Sequence, residues 1–300
     1  MPLGRAGKMS DVVRLGGLRA LLLDLDGVVY RGERALPGAV ELFAFLRERG
    51  LRFALITNNS TQTPAQFAAK LSRLGIAVRE EDVLTSAEAT ADHLVATAGR
   101  RRRVLVVGGH GLRAALRRVG LGAAARHPEY VVVGLDTKLT YAKLRRASVA
   151  IRNGARFIAS NADATLPTEE GEIPGSGAIV AALQVAGGVA PTVIGKPQPL
   201  MLEMAMRRLG VDPAETAIVG DRLETDVVAG QRLDICTILV LTGVTTREEL
   251  AAAPVRPDFV FADLRELRQA LAAAQSGASH QAHELPGPPV GPRQVGDRMG

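Results

Sequence analysis

The 300-residue chain contains no tryptophan, and aromatic side chains make up only 3% of it. It therefore lacks the aromatic platforms on which single-stranded nucleic acid stacks, and aliphatic side chains must build its core. The single cysteine, Cys236, excludes an intrachain disulfide framework, and its apolar surroundings are typical of a buried thiol. The five histidines show none of the spacings of zinc ligands, so a zinc site has no support.

The chain also lacks the marks of export and of membrane insertion. Its first residues have no apolar signal-peptide core, and its longest uncharged run, near residues 178–195, is interrupted by glutamine, glycine and proline. We therefore expect a cytoplasmic protein without a membrane partner. With 47% hydrophobic and 23% charged residues, the composition is typical of one large or two modest globular domains.

Basic residues outnumber acidic ones, and the net charge of +6 with an isoelectric point near 10.0 favours anionic partners. Most of the basic residues are scattered, but positions 100–103 are four consecutive arginines. Such a run is most often a solvated loop, and the alternative is a weak patch that attracts phosphorylated ligands. We do not expect nucleic acid as a partner.

Residues 21–30, LLLDLDGVVY, place two carboxylates directly after an apolar run. The run has the length of a fully buried parallel strand, and Gly27 lets the chain turn sharply behind it. Ligands of open α/β sheets bind at the carboxyl ends of the strands, so Asp24 and Asp26 are candidate site residues. The same Asp-x-Asp-Gly pattern also occurs in ordinary turns, where aspartate side chains bond to their own backbone. The residues at the ends of the later predicted strands distinguish these two interpretations.

Strands and helices alternate after this motif, which predicts a doubly wound α/β fold with a parallel sheet. A helix begins at Pro37 and ends at Gly50, a strand follows at 51–56, and a second helix runs from Pro64 to Gly75. Near the other end, the pattern predicts a helix from Leu264 to Ala273. The Gly-, Pro- and Ser-rich sequence beyond Gln275 predicts a disordered tail.

The middle of the chain continues the alternation without acidic strand ends. Thr85 and Glu88 have the spacing of a capping box, which predicts a helix over 86–98. The glycines near 108–111 do not form a Gly-x-Gly-x-x-Gly motif, so we expect no dinucleotide site there. We interpret this region as a second α/β unit inserted into the first. Its further predicted elements are strands near 104–107, 130–133 and 156–159, and helices near 112–119 and 141–153.

Polar groups follow three further predicted strands, at 51–56, 192–194 and 216–219. If these strands and the first are parallel neighbours, their ends gather acids that can hold a divalent cation, groups that bind oxygen atoms, and one ammonium. Each group alone has a structural explanation, such as a helix-capping turn or a solvated loop. Their order along the chain favours a functional site. The groups are Thr57, Asn58 and Asn59, then Lys196, then Asp221 and Asp226.

With these motifs in order, the chain resembles phosphatases of the haloacid dehalogenase (HAD) superfamily. The resemblance covers about residues 18–273 and points to the group of 4-nitrophenyl, phosphoglycolate and glycerol 3-phosphate phosphatases, which carry a large α/β cap. It implies a Rossmann-like parallel-sheet core with an inserted cap domain. The expected divisions are an N-terminal extension at 1–17, core segments at 18–84 and 191–274, the cap at 85–190, and the tail at 275–300.

The resemblance also implies roles in catalysis. Asp24 matches the nucleophile that forms an aspartyl phosphate, and Asp26 matches the general acid and base. Mg²⁺ would be held by Asp24, by the backbone carbonyl of Asp26 and by Asp221, because magnesium prefers hard oxygen ligands. Val28 stands where many members have threonine, a departure that leaves this chemistry intact.

The remaining motif residues match groups that bind the substrate. Thr57, with Asn58 and Asn59, would bind the oxygens of the phosphoryl group, and Lys196 would neutralise its charge. Asp226 would orient Lys196 or a metal-bound water rather than bind the metal directly.

The leading hypothesis is therefore a Mg²⁺-dependent phosphomonoesterase that acts on a small phosphorylated metabolite. Resemblance within residues 166–174 favours glycerol 3-phosphate or phosphoglycolate as substrate. The alternatives are a nucleotide or sugar monophosphatase, a non-catalytic metabolite-binding HAD protein, and a phosphomutase. Relatives of this group often dimerise through the cap, so the resemblance implies a homodimer as well.

Overall fold

The computed structural model describes residues 14–99, 102–121, 126–168 and 171–282 of the chain. Leu18–Arg268 form one compact unit, and the described parts of the terminal segments, 14–17 and 269–282, belong to a second. Over the described residues, no helix is long and apolar enough to cross a membrane.

Strands and helices alternate along the chain, as the sequence pattern predicts. The strands are β1 Ala20–Leu23, β2 Tyr30–Arg31, β3 Arg34–Ala35, β4 Arg52–Thr57, β5 Val83–Thr85, β6 Val104–Val107, β7 Tyr130–Val133, β8 Arg156–Ala159, β9 Thr165–Thr168, β10 Gly171–Pro174, β11 Thr192–Val193, β12 Thr216–Gly220, β13 Cys236–Val240 and β14 Phe259–Phe261. The helices are α1 Ala39–Glu48, α2 Pro64–Arg73, α3 Ser86–Ala98, α4 His110–Arg118, α5 Tyr141–Arg152, α6 Ser176–Gly187, α7 Leu200–Leu209, α8 Val228–Gln231, α9 Arg247–Ala252 and α10 Leu264–Ala282.

Six strands form the first sheet, in the order β14, β13, β12, β1, β4, β5, and all neighbours in it are parallel. The central strand β1 consists of apolar residues that are all buried, as expected for a parallel strand covered on both faces. Its neighbours β4 and β12 bring the later sequence motifs to its two sides. The predicted parallel α/β core is confirmed.

The inserted region builds a second parallel sheet, in the order β11, β8, β7, β6. One prediction is wrong here, because the strand assigned to the core at 192–194 belongs to this sheet instead. Thr192 pairs with Ile158 and Val193 pairs with Ala159 of β8. The division expected at residue 191 therefore falls one strand too early. A strand of two residues carries too little pattern to specify its sheet.

Helix α3 connects the two sheets and packs against α4 and α7. It begins where the sequence predicts, because the Thr85 hydroxyl accepts a hydrogen bond of 3.2 Å from the backbone N–H of Glu88. One apolar cluster contains Leu94 of this helix together with Ile56 of β4 and Val132 of β7. Burial of each such side chain contributes about 1.5–3 kcal/mol, so this shared cluster holds the insert against the core.

The last helix departs from its predicted end. α10 continues to Ala282, past the expected end at Ala273 and into the segment expected to be disordered from 275. The alanines of this segment keep helix propensity high, and Gly277 alone does not end the helix. The rest of the predicted tail, at 283–300, lies outside the described residues.

Candidate active site

Three of the predicted polar strand ends meet because their strands are neighbours in the first sheet. β1 pairs with β4 on one side and with β12 on the other. Asp24 follows β1, Thr57 is the last residue of β4, and Asp221 follows β12. The carboxyl ends of parallel strands share one edge of the sheet, so the three side chains line one cavity, as the sequence predicts.

Lys196 reaches this cavity from the second sheet, after β11. Its side chain is only 2% exposed, and its Nζ lies 2.8 Å from Asp24 Oδ1 and 2.7 Å from Asp226 Oδ1. It also donates a hydrogen bond of 3.3 Å to the backbone carbonyl of Ile56. Burial lowers the pKa of Lys196, but Asp226 and Asp24 raise it more, so the pKa is above its usual value and the ammonium stays charged. The predicted association of Lys196 with the acids is thus present, although its strand lies in another sheet.

Asn58 holds the backbone of Lys196 in place. Its Oδ1 accepts a hydrogen bond of 2.8 Å from the Lys196 N–H, and its Nδ2 donates one of 2.9 Å to the Lys196 carbonyl. Nδ2 also lies 2.9 Å from Asp163 Oδ1, and the Asn58 carbonyl accepts bonds from Ser86 Oγ and Asn161 Nδ2. Because its side-chain amide is fully engaged, Asn58 would contribute to phosphate binding only through its backbone.

Thr57 and Asn59 form a tight polar turn at the end of β4. The Thr57 hydroxyl accepts a hydrogen bond of 3.1 Å from the Asn59 N–H, which leaves its own proton available to donate. Asn59 Oδ1 accepts bonds from the N–H and the hydroxyl of Thr61, at 3.0 and 2.6 Å. The asparagine side chain therefore stabilises the turn, and the hydroxyl of Thr57 is the group that can meet a ligand oxygen.

Three carboxylates form the acidic part of the site. Asp24, Asp221 and Asp226 each place an oxygen within 4.8 Å of the others. Asp221 is 1% exposed, and its Oδ2 accepts a bond of 2.8 Å from the Val244 N–H. Its Oδ1 has no hydrogen-bond partner among the residues that the structure describes. An additional Cβ at Gly27 would clash with Asp221, and the φ of Gly27 is +83°, so only glycine allows this close approach.

A divalent cation fits this acidic group. Three carboxylates and the single ammonium of Lys196 leave two net negative charges in a buried site, and the unpaired oxygen of Asp221 is a hard ligand of the type that Mg²⁺ prefers. Asp226 is less suited to direct binding. Its Oδ1 accepts from Lys196, and its Oδ2 accepts from the Arg222 N–H at 3.1 Å and from the Thr225 hydroxyl at 3.4 Å.

Burial also changes the ionisation of the acids. It raises the pKa of Asp24 well above its usual value, an effect that Lys196 opposes and Asp226 increases. Burial raises the pKa of Asp221 to about 6, and the nearby charge of Asp226 contributes to the increase. Both shifts reflect the cost of burying negative charge.

Asp26 has a partner that the sequence analysis did not identify. The Tyr30 hydroxyl donates a hydrogen bond of 3.1 Å to Asp26 Oδ2, and Tyr30 is buried with Lys70 Nζ 3.9 Å from its ring centroid. Burial raises the pKa of Asp26, while Lys70 and the hydrogen bond from Tyr30 lower it. Tyr30 belongs to the same acidic stretch of sequence, but its contact depends on the turn at residues 25–30, which no periodicity predicts.

The cavity that contains these groups has a volume of about 830 Å³. Outside the catalytic candidates, its charged lining includes the guanidinium groups of Arg31, Arg34 and Arg222 and the carboxylate of Glu172. Arg31 is oriented by a hydrogen bond of 2.6 Å to the Thr242 carbonyl. The volume lies within the range of sites for small molecules.

Known proteins are similar to this chain in both sequence and structure. A family model described as haloacid dehalogenase-like hydrolase matches residues 21–122, and a HAD-hydrolase-like model matches residues 193–267. The acid sugar phosphatase of Staphylococcus saprophyticus is 42% identical over 250 residues, which cover 83% of this chain and 96% of that protein.

Solved structures agree with this result. A 4-nitrophenylphosphatase from Thermotoga maritima superposes with a TM-score of 0.83 at 38% identity, covering 86% of this chain and 99% of that one. A glycerol phosphate phosphatase from Mycobacterium tuberculosis, solved in complex with magnesium, gives a TM-score of 0.80 at 37% identity and covers 87% of this chain and 79% of its own. Similarity of this extent shows that the chain belongs to the haloacid dehalogenase-like hydrolases and is a phosphatase of that superfamily.

Proposed function

We propose that this phosphatase hydrolyses small phosphomonoesters in a Mg²⁺-dependent reaction in which Asp24 is the nucleophile. The supporting observation is the buried ammonium of Lys196, 2.8 Å from Asp24 Oδ1, within a group of three carboxylates that it cannot neutralise alone. A carboxylate that attacks a phosphate dianion meets like-charge repulsion. The site therefore needs the positive charge that Lys196 and a divalent cation supply.

Mg²⁺ would be held by Asp24, Asp221 and the backbone carbonyl of Asp26. When bound, it supplies positive charge that lowers the repulsion between nucleophile and substrate and stabilises charge on the phosphoryl oxygens. Asp226 acts indirectly, because its carboxylate holds the ammonium of Lys196 at 2.7 Å.

The first half of the reaction forms a bond between an Asp24 carboxylate oxygen and phosphorus and breaks the ester bond between phosphorus and the leaving oxygen. Lys196 and the hydroxyl of Thr57 bind the phosphoryl oxygens as the negative charge on them changes. Asp26 gives its proton to the leaving oxygen, so that an alcohol departs. Burial raises the pKa of Asp26, which favours the protonated carboxyl that this step needs.

The second half releases phosphate. Asp26, now a carboxylate, takes a proton from water as the water oxygen attacks phosphorus, and the bond from Asp24 to phosphorus breaks. The hydrogen bond from Tyr30 stabilises the charged form of Asp26 in this interval. One residue thus moves the proton in both directions.

Glycerol 3-phosphate and phosphoglycolate are the substrates that we favour. The guanidinium groups of Arg31, Arg34 and Arg222 suit a leaving group with a carboxylate or several hydroxyls, and the cavity of about 830 Å³ is large enough for either compound. The name of the glycerol phosphate phosphatase relative supports this choice. A sugar phosphate is the second candidate, because relatives about 42% identical carry the name acid sugar phosphatase.

Catalytic efficiencies on a matched set of compounds test the proposal. Glycerol 3-phosphate, phosphoglycolate, a hexose monophosphate and a nucleoside monophosphate should be compared with Mg²⁺ and with a chelator. We expect phosphate release only with Mg²⁺, the largest kcat/KM on one of the first two compounds, and loss of release in Asp24→Asn. Full activity in the chelator would contradict the metal dependence, and a nucleotide preference would contradict the substrate assignment. Transfer to another sugar hydroxyl would identify a phosphomutase.

A further inference from the structure

A second cavity, of about 870 Å³, lies in the cap, and none of the described residues lines both this cavity and the active-site cavity. Its walls include the beginnings of three strands of the second sheet, at Leu105 of β6, Tyr130 of β7 and Arg156 of β8. The groups that this sheet contributes to the active site, such as Asn161, follow the opposite ends of the strands. The two cavities therefore lie at opposite edges of the same sheet.

The second cavity is strongly basic. Among the described residues of its lining there are five arginines, one histidine and a single carboxylate, Glu129. Glu129 pairs with Arg102 at 3.1 Å and with Arg103 at 3.7 Å. Counted as formal charges, these five arginines and one glutamate give the described lining a net charge of +4. The arginines are Arg102, Arg103, Arg145, Arg146 and Arg156.

An apolar surface lies among these charges. Leu105, Pro128, Tyr130 and Val149 line the same cavity, and the Val149 side chain is 51% exposed. The guanidinium of Arg156 lies 5.8 Å from the centroid of the Tyr130 ring and donates a hydrogen bond of 3.3 Å to its hydroxyl. Guanidinium groups bind phosphate oxygens in a bidentate manner, and the apolar surface can receive an uncharged part of the same ligand.

We propose that this cavity binds a small organic anion that carries two or more phosphate groups, such as a nucleoside diphosphate. A net charge of +4 exceeds what a monophosphate balances, which favours several phosphates. A concave site of this volume with an apolar wall is typical of small ligands. From the sequence alone, the arginine run at 100–103 has the alternative interpretation of a weak patch that attracts phosphorylated ligands. Two members of that run, Arg102 and Arg103, line this cavity together with arginines distant in sequence.

Helix α3 connects the two sites. Ser86 at its beginning donates a hydrogen bond of 2.6 Å to the carbonyl of Asn58, which holds Lys196, and Thr97 and Ala98 at its end line the basic cavity. Arg102 Nε also donates to the Ala98 carbonyl at 2.7 Å. A helix of 13 residues is about 20 Å long, so a ligand here would not touch the reacting atoms.

Calorimetric titration with ADP tests the proposal. The full chain carries Asp24→Asn and is titrated in chelator, so that no turnover occurs. Its affinity for ADP is compared with that of the same chain carrying Arg145→Ala and Arg156→Ala in addition. We expect one binding event that weakens roughly tenfold or more in the double variant, because charge-assisted hydrogen bonds are lost. The matched control is Arg117→Ala with Arg207→Ala, which removes the same charge from exposed positions outside both cavities, and it should change the affinity less than about twofold.

Other outcomes would overturn the proposal. Equal weakening by both pairs of substitutions would show that ADP responds only to overall charge. No binding of ADP, or no weakening in the double variant, would also contradict it. A single-stranded RNA that binds more tightly than ADP by roughly tenfold, and is lost in the same variant, would assign the cavity to nucleic acid instead. In the chain with Asp24 intact, unchanged hydrolysis of 4-nitrophenyl phosphate by the double variant would show that the fold is preserved.

Discussion

The two parallel sheets of this chain share an architecture but differ in how they carry charge. At the carboxyl edge of the core sheet, Asp24, Asp221 and Asp226 are buried together with the ammonium of Lys196, which arrives from β11 of the cap sheet. At the opposite edge of the cap sheet, the described arginines around Glu129 are exposed. The same fold thus serves two kinds of site, and the residues at the strand ends make the difference. Burial decides how strongly each charge affects stability and catalysis.

The largest effect should follow removal of the buried ammonium. In Lys196→Met, Asp24 and Asp226 would remain buried without their partner, which is 2.8 and 2.7 Å away in the native chain. We expect kcat to fall by about 10³-fold and the free energy of unfolding in chelator to fall by about 3–5 kcal/mol. Phosphate release and urea unfolding measure the two effects. A decrease in kcat of less than about tenfold would show that the buried ammonium contributes little to catalysis.

A smaller but clear effect should come from the metal. Mg²⁺ relieves the repulsion between the acids only in the folded chain, so it should raise the melting temperature by roughly 5–10 °C at about one hundred times its Kd. In Asp221→Asn this shift should be lost, and the variant in chelator should be more stable than the native chain, because the substitution removes a buried negative charge whose Oδ1 lacks a hydrogen bond within the described residues. An unchanged Mg²⁺ shift in the variant would contradict the assignment of Asp221.

The same measurement has a defined pH dependence. The pKa of Asp221 is raised to about 6 in the folded chain without metal, above its value of 3.8 when unfolded. A raised carboxyl pKa destabilises the folded state above that pKa, and the penalty disappears as the pH falls toward the unfolded value. Stability in chelator that is due to this group should therefore increase from pH 7 to pH 5, and the Mg²⁺ shift should decrease over the same range. The opposite trend would contradict the cause given for the shift.

An intermediate effect should follow loss of the hydrogen bond to Asp26. Tyr30→Phe keeps the buried ring and removes the hydroxyl that lies 3.1 Å from Asp26 Oδ2. We expect kcat to fall about 3- to 10-fold, in line with the typical net contribution of one hydrogen bond. Because that bond lowers the pKa of Asp26, the limb of the pH–rate profile that reports Asp26 should move to higher pH. A lower melting temperature with an unchanged profile would indicate a purely structural role.

The smallest effect should come from a lysine and aspartate pair in the cap. Lys143 Nζ lies 2.8 Å from Asp136 Oδ2, which is the same separation as between Lys196 and Asp24, but the Lys143 side chain is 34% exposed. Lys143→Met should lower the free energy of unfolding by about 1 kcal/mol and leave kcat on 4-nitrophenyl phosphate unchanged. Effects as large as those of Lys196→Met would show that burial of the lysine does not determine how much the ion pair contributes.

The core of the fold and most of its site follow from the sequence pattern. Apolar runs that end in Asp24, Thr57 and Asp221 identify buried parallel strands, and parallel strands must place their ends together. The position of Lys196 is different. Its strand of two residues carries no usable periodicity, and the structure pairs that strand with β8 of the cap.

Contacts that depend on tertiary structure could not be predicted. The bond between Tyr30 and Asp26 needs a turn, and the role of Asn58 as a clamp on Lys196 needs the return of the chain from the cap. The basic cavity combines the local run of arginines with residues from α5 and β8, which only the strand order of the second sheet brings near each other. The local hydrophobic pattern predicts the helices and strands, whereas the strand order determines which of their ends lie close together.

In the proposed reaction, Asp24 carries the phosphoryl group during turnover. The most direct test of this step is an acid quench of the enzyme during rapid turnover with Mg²⁺, followed by mass spectrometry of the peptide that contains Asp24. We expect a phosphorylated Asp24 that appears and decays at the rate of turnover and is absent from Asp24→Asn. A native enzyme that turns over rapidly with Asp24 unmodified at every time, or a phosphoryl group found on another residue, would contradict it.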